Sequence, residues 1–256
     1  MKMKEALRIL FASFFHAGLR AKRTRVFILL SAVPVLLMVI VRIVDARSSV
    51  DFFTRVMLSL YFQLLVPVLA LFLGSTIVNE ELDNKTLVYL TTVPVRRRDV
   101  LLGKFAAAYA LGALMIGGGF LLCFLAGSLD RLGTAEAWEG LAVFLGTALL
   151  ALFCYMALFT AAGAFMKKSI LVGLFFVFGW ESVVQYFPGV TQKFTIVHWV
   201  KSLLPIPPGE GGFLIFQLQP SPALQSVLTL LFAGLLFLWL AVFIFERKEY
   251  ILSDNA

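Results

Sequence analysis

Apolar residues fall along this chain in long unbroken runs separated by short charged clusters, without the alternation of a half-buried strand. Crossing about 30 Å of hydrocarbon takes roughly 20 residues at about 1.5 Å each. Five runs meet that length: Val26 to Val44, Val56 to Val78, Phe105 to Leu125, Leu141 to Met166 and Ala223 to Phe245. A sixth begins at Ile170 and is interrupted near Trp180 and Glu181. Counted as a crossing, it gives an all-α polytopic membrane protein with six transmembrane helices, both termini on one side, and a single transmembrane domain over residues 1–256.

Before the first run the pattern changes. In "ALRILFASFFHAGLRAK", Leu7, Leu10, Phe11, Phe14 and Gly18 share one helical face, with Glu5, Arg8, His16 and Arg20 largely opposite. Residues 1–25 are therefore expected to form an interfacial helix on the inner membrane surface, with His16 at headgroup level. A cleaved signal peptide fits less well, because 25 residues precede the first oily run and "VDARSS" at its far end is a poor cleavage site.

Composition agrees with the pattern: 61% hydrophobic residues, 26 phenylalanines and a mean hydropathy of +0.94 leave too little polar surface to cover a soluble globule. Of the 22 Lys and Arg residues, the six-span layout puts sixteen on one side and six (Arg42, Arg47, Arg55, Arg131, Lys193, Lys201) on the other. Cytoplasmic flanks carry the excess, so both termini are expected in the cytoplasm of a cell inner membrane. The net charge of +7 then matches an anionic inner leaflet rather than nucleic acid.

One stretch is conspicuously polar: "VNEELDNKTLVYLTTVPVRRRDVLLGK", Val78 to Lys104, between the second and third spans. Glu80, Glu81 and Asp83 are placed to open a helix, where the macrodipole favours negative charge. Leu82, Leu87 and Leu90 are spaced for an amphipathic turn or two, and Pro94 stops it before a second helix from Arg97 into the third span. A charged connection between spans is also the ordinary form of a solvated turn.

The carboxylates after the second span, then Thr86, Leu87 and Leu90, Pro94-Val95 followed by Arg97, and Gly103-Lys104 opening the third span together resemble the signature of type-2 ATP-binding-cassette (ABC-2) exporter permeases. Lys85 stands where a glycine usually precedes the threonine, and Arg96 where a small polar residue is usual. "WESVVQYFPGVTQKFTIVHWVKSLLP", Trp180 to Pro205, is similar to the family's segment between spans five and six, where two short helices dip into the outer leaflet.

The resemblance implies that residues 79–104 form a cytoplasmic coupling helix docking on an ATPase through Glu80, Glu81, Thr86, Leu87, Leu90, Pro94, Arg97 and Lys104. It makes residues 180–222 an extracellular re-entrant region. No GxxxxGK[ST] phosphate loop occurs in the chain, so ATP and magnesium belong on a separate ATPase subunit, and no catalytic residue is expected here. Two ATPase copies and a second permease subunit, in a homodimer surrounded by lipid, complete the implied machine. Its mechanism would be alternating access: ATP closes the ATPases, the coupling segments converge and the spans open outward.

Glu181 is the one carboxylate well inside an apolar run, which makes it a candidate gate or substrate contact, or else a helix cap. His198 beside Trp199 fits the outer aromatic belt. Gly117, Gly118, Gly119 and Ala113 suit a close helix contact. Phe175, Phe176 and Phe178 suit either lipid or an apolar path. Cys123 and Cys154 fall inside spans as small apolar packing residues, and no metal site is indicated.

Two other classes compete with the transporter. An intramembrane protease would use the Glu80-Glu81 pair with deep histidines, but the pair lies at the membrane boundary and neither histidine lies deep in a span. A non-transporting anchor or scaffold would need only the spans.

Overall fold

A computed structural model describes residues 3–44, 53, 56–83, 97–128, 133–166, 168–184, 187, 190–204 and 220–247. Helix accounts for 93% of it, and no strand occurs among the described residues. In chain order the helices are α1 (Met3–Arg20), α2 (Lys22–Val44), α3 (residues 57–83), α4 (Arg97–Gly127), α5 (Ala135–Phe165), α6 (Ser169–Val184), α7 (Ile196–Leu203) and α8 (Ala223–Arg247).

Five helices are long and apolar enough to cross a membrane: α2, α3, α4, α5 and α8. They coincide with the five uninterrupted runs in the sequence. Each extends past its run wherever polar residues can continue the helix outside hydrocarbon. Thus α4 starts at Arg97, as the polar segment after Pro94 predicts, and its 31 residues reach about 46 Å, roughly 16 Å more than the oily layer is thick. The sixth run forms the shorter α6, whose 16 residues reach only about 24 Å.

Two helices are locally widened. Pro67 has no N–H to give, and the preceding stretch, Met57–Leu65, relaxes into π geometry in which Val66 N–H reaches the Tyr61 carbonyl five residues back. In α6 the π stretch is Phe176–Glu181. Buried residues there recur every four positions, Ser169, Gly173, Val177 and Glu181. A 3.6-residue helix would rotate that row steadily away from its partners, and the wider turn holds it in register.

The centre of the bundle is α5, packed between α3 and α8. Lipid tails are as apolar as leucine, so the association rests on close backbone approach rather than on removing oil from water. A Cβ on Gly74 would stand 2.8 Å from the Met156 carbonyl oxygen and 3.2 Å from the Thr160 nitrogen. A Cβ on Gly163 would stand 3.2 Å from the Ser75 carbonyl oxygen. Ala157, Ala161 and Ala164 continue the small, buried face of α5.

On α4 the glycine run divides its work. Gly119 makes room for Tyr61, whose hydroxyl would lie 2.5 Å from an added Cβ, whereas a Cβ on Gly118 would meet no other helix within 4 Å. The close contact expected of Gly117 to Gly119 is carried by Gly119, and by Gly112 against Leu73 and Leu152. Cys123 and Cys154 are buried and not disulfide-bonded.

Candidate functional site

The α3 helix does not stop at Val78. It continues through Glu80 and Glu81 to Asp83, so these carboxylates lie in the closing turn of a helix and not at the start of one. The expectation that they open a helix is corrected: no glycine or proline intervenes after Val78, and Leu82 extends the apolar row. Thr86, Leu87, Leu90 and Pro94 lie outside the described residues.

The chain re-enters the description at Arg97, exposed at the start of α4, with Asp99 in the first turn where the macrodipole favours it. Arg98 Nε stands 3.7 Å from the Asp99 carboxylate. Lys104 is not simply solvated: its ammonium sits 4.6 Å from the centre of the Phe14 ring of α1. Further along, Gly18 of α1 approaches Leu111 of α4. The helix α1 therefore advances along the start of α4 in the same sense, bracing it from Lys104 to Leu111.

At the other candidate, Glu181 closes the π stretch of α6 and is 3% exposed. Its Oε1 accepts the Ile196 N–H at 2.9 Å and its Oε2 the Val197 N–H at 3.0 Å. Tyr155 of α5, itself buried, donates its hydroxyl to Oε2 at 3.2 Å. Thr195, the N-cap of α7, accepts the His198 N–H at 3.2 Å. The first three amides of α7 are thus satisfied, two by one carboxylate and one by a hydroxyl, as an N-terminus withdrawn from water requires.

The far side of α7 is tied to the start of α8. Ser221 N–H donates to Ser202 Oγ at 3.2 Å, and Ser221 Oγ lies 3.2 Å from His198 Nε2. His198 is buried rather than projecting at a rim, and burial, reinforced by the Lys193 charge, lowers its pKa. Burial likewise lowers Lys201 to about 8, with the Glu181 carboxylate pulling the other way. Trp199 is anchored by its Nε1–H on the Lys193 carbonyl at 2.9 Å.

A family model described as ABC-2 family transporter protein matches residues 9–250. The chain belongs to the ABC-2 transporter family. No curated protein matches it.

This ABC-2 chain is a multi-pass membrane component of a transporter and not itself the ATPase, and membership implies an ABC ATPase partner in general terms. Of the residues read as docking sites, Arg97 and Lys104 lie on the leading turns of α4, and Glu80 and Glu81 on the closing turn of α3. Glu181 lies in the separate cluster with α5 and α7. Among the described residues, no three of His, Cys, Asp and Glu gather as a metal site would require. The sequence reading missed Tyr155 and the α7 amides as partners of Glu181. Thr195 just before an apolar turn was a legible N-cap signal.

Proposed function

We propose that this protein is the membrane-spanning permease subunit of an ATP-driven exporter, driven through the segment between α3 and α4 by a separate ATPase. The observation that carries the reading is the paired approach to that segment. Both α3 and α4 run as helix from the membrane core to its two ends, at Asp83 and Arg97, and α1 braces the second. A push on the 79–104 segment would reach the bundle through rigid helices instead of being absorbed in a loop. Glu80, Glu81, Thr86, Leu87, Leu90, Pro94, Arg97 and Lys104 form the docking surface in this reading.

The remaining parts follow the same reading. The helix α6 supplies the fifth of six crossings, both termini face the cytoplasm, α7 dips into the outer leaflet, and two copies assemble with two ATPases around one pathway. Glu181 holds α7 against α5 and α6, so it sets the position of the outer gate. A pull-down of the tagged protein in mild detergent, followed by ATPase assay, tests the proposal. Wild type should recover an ATP-hydrolysing subunit, and Glu81→Lys and Leu87→Asp should not; full recovery by both variants, or none by wild type, would reject the docking role.

A further inference from the structure

The least covered of the membrane helices include α2, and its exposure is ordered. Leu29 is 71% exposed, Leu36 60% and Ile43 80%, with Val33 and Ile40 exposed between them. At 3.6 residues per turn, positions 29, 33, 36, 40 and 43 fall on one narrow face. Extended toward the start of α2, the same face passes through Arg25 and Lys22, both exposed, and Arg20 is exposed one bend earlier. Among the described residues no carboxylate forms an ion pair with any of the three.

The bend that brings these cations together is fixed. Thr24, buried, donates its hydroxyl to the Gly18 carbonyl at 2.5 Å, while Ala21 N–H reaches the same carbonyl at 3.2 Å. Thr24 N–H closes the turn on the Ala21 carbonyl at 3.1 Å. The cations are held at the start of α2 by the fold of the backbone, not gathered by a flexible tail.

We infer that the α1–α2 bend, with Lys22 and Arg25 crowning the uncovered stripe of α2 and Arg20 beside them, binds the headgroup of an anionic phospholipid whose acyl chains lie along Leu29, Val33, Leu36 and Ile40. Two features favour a lipid over a second copy of this chain. The stripe is made of large aliphatic side chains, without the small residues that let helices approach. A two-fold axis along the membrane normal would bring residues of equal depth together, setting Lys22 and Arg25 against their own copies. A phosphodiester headgroup complements the same charges, and each cation near an anionic surface strengthens such binding about fivefold.

The full-length protein is reconstituted in vesicles of phosphatidylcholine with phosphatidylglycerol, extracted gently, and its retained lipids are counted by native mass spectrometry. Wild type should retain phosphatidylglycerol over phosphatidylcholine. The double variant Lys22→Gln/Arg25→Gln should lose that preference by an order of magnitude, and Lys22→Arg/Arg25→Lys should keep it, with circular dichroism verifying that each is folded. Equal retention by wild type and the Gln variant overturns the site. Efficient oxidative cross-linking of Leu29→Cys between two copies also overturns it, because the stripe would then be covered by protein.

Discussion

Glu181 Oε1 stands 2.9 Å from the backbone nitrogen of Ile196, and that single bond joins the end of one apolar helix to the beginning of another. With Val197 and Tyr155 on Oε2, the carboxylate serves three donors from two other helices, two of them fully buried. Removing it leaves those donors without an acceptor where water does not replace it. Glu181→Ala is expected to lower stability by roughly 3 kcal/mol, and Glu181→Gln by less, because the amide keeps one acceptor oxygen. Thermal unfolding in detergent, followed by tryptophan fluorescence, measures both. Unchanged melting in both variants would show that the carboxylate does not hold α7, and full transport by Glu181→Gln at unchanged stability would remove the gating role proposed for it.

Gly74 and Gly118 make opposite predictions. A methyl on Gly74 meets the Met156 carbonyl, which is backbone and cannot step aside, so Gly74→Ala should cost about 1 to 3 kcal/mol. A methyl on Gly118 meets nothing, and helix propensity alone makes Gly118→Ala neutral or stabilising by up to about 1 kcal/mol. Melting temperatures of the two variants side by side decide; equal values would mean that α3 and α5 are not in close contact.

The Lys104–Phe14 contact is expected to matter for coupling more than for folding. A half-buried cation–ring contact such as this is worth about 1 kcal/mol. Phe14→Leu should therefore lower substrate-stimulated ATP turnover of the assembled transporter about two- to fivefold while leaving ATPase recovery in a pull-down intact. Unaltered turnover would separate α1 from the drive.

Acid should loosen the attachment of α7. The His198 pKa is lowered in the fold, so the unfolded chain binds more protons in the window below the ordinary histidine value of about 6.5. Its contribution is complete above that value and is lost as pH falls through the folded pKa. Wild type should lose more melting temperature than His198→Gln between about pH 7.5 and about pH 5.5, either side of the ordinary histidine value. Parallel curves would remove His198 from the account.

The five long helices were legible because hydrocarbon thickness sets a length that uninterrupted apolar runs either meet or miss. Their ends were legible where a signal marked them, as Pro94 did for the helix from Arg97, and not where none did, since Glu80 to Asp83 are polar enough for a loop yet have no breaker to stop a helix. The direction of the Glu80 reading failed for that reason. Glu181 was legible as an anomaly within an oily run. Its partners were not, because the amides of Ile196 and Val197 carry no side-chain signal, and Tyr155 lies on another helix. The close approach of Gly74 to Met156 has the same character: a glycine in a run shows that something can come near, not what does.

The sandwiching of α5 between α3 and α8 also bears on how the chain is made in the cell. When α3 enters the bilayer, its Gly74 face has no mate, because Met156 and Thr160 are some eighty residues from being synthesised. During that interval α3 can pack only against α2 and α4, and the arrival of α5 completes its closest contact. Chains truncated before residue 135 should accordingly be cleared by membrane quality-control proteases far faster than chains ending after residue 166, as pulse-chase labelling would reveal.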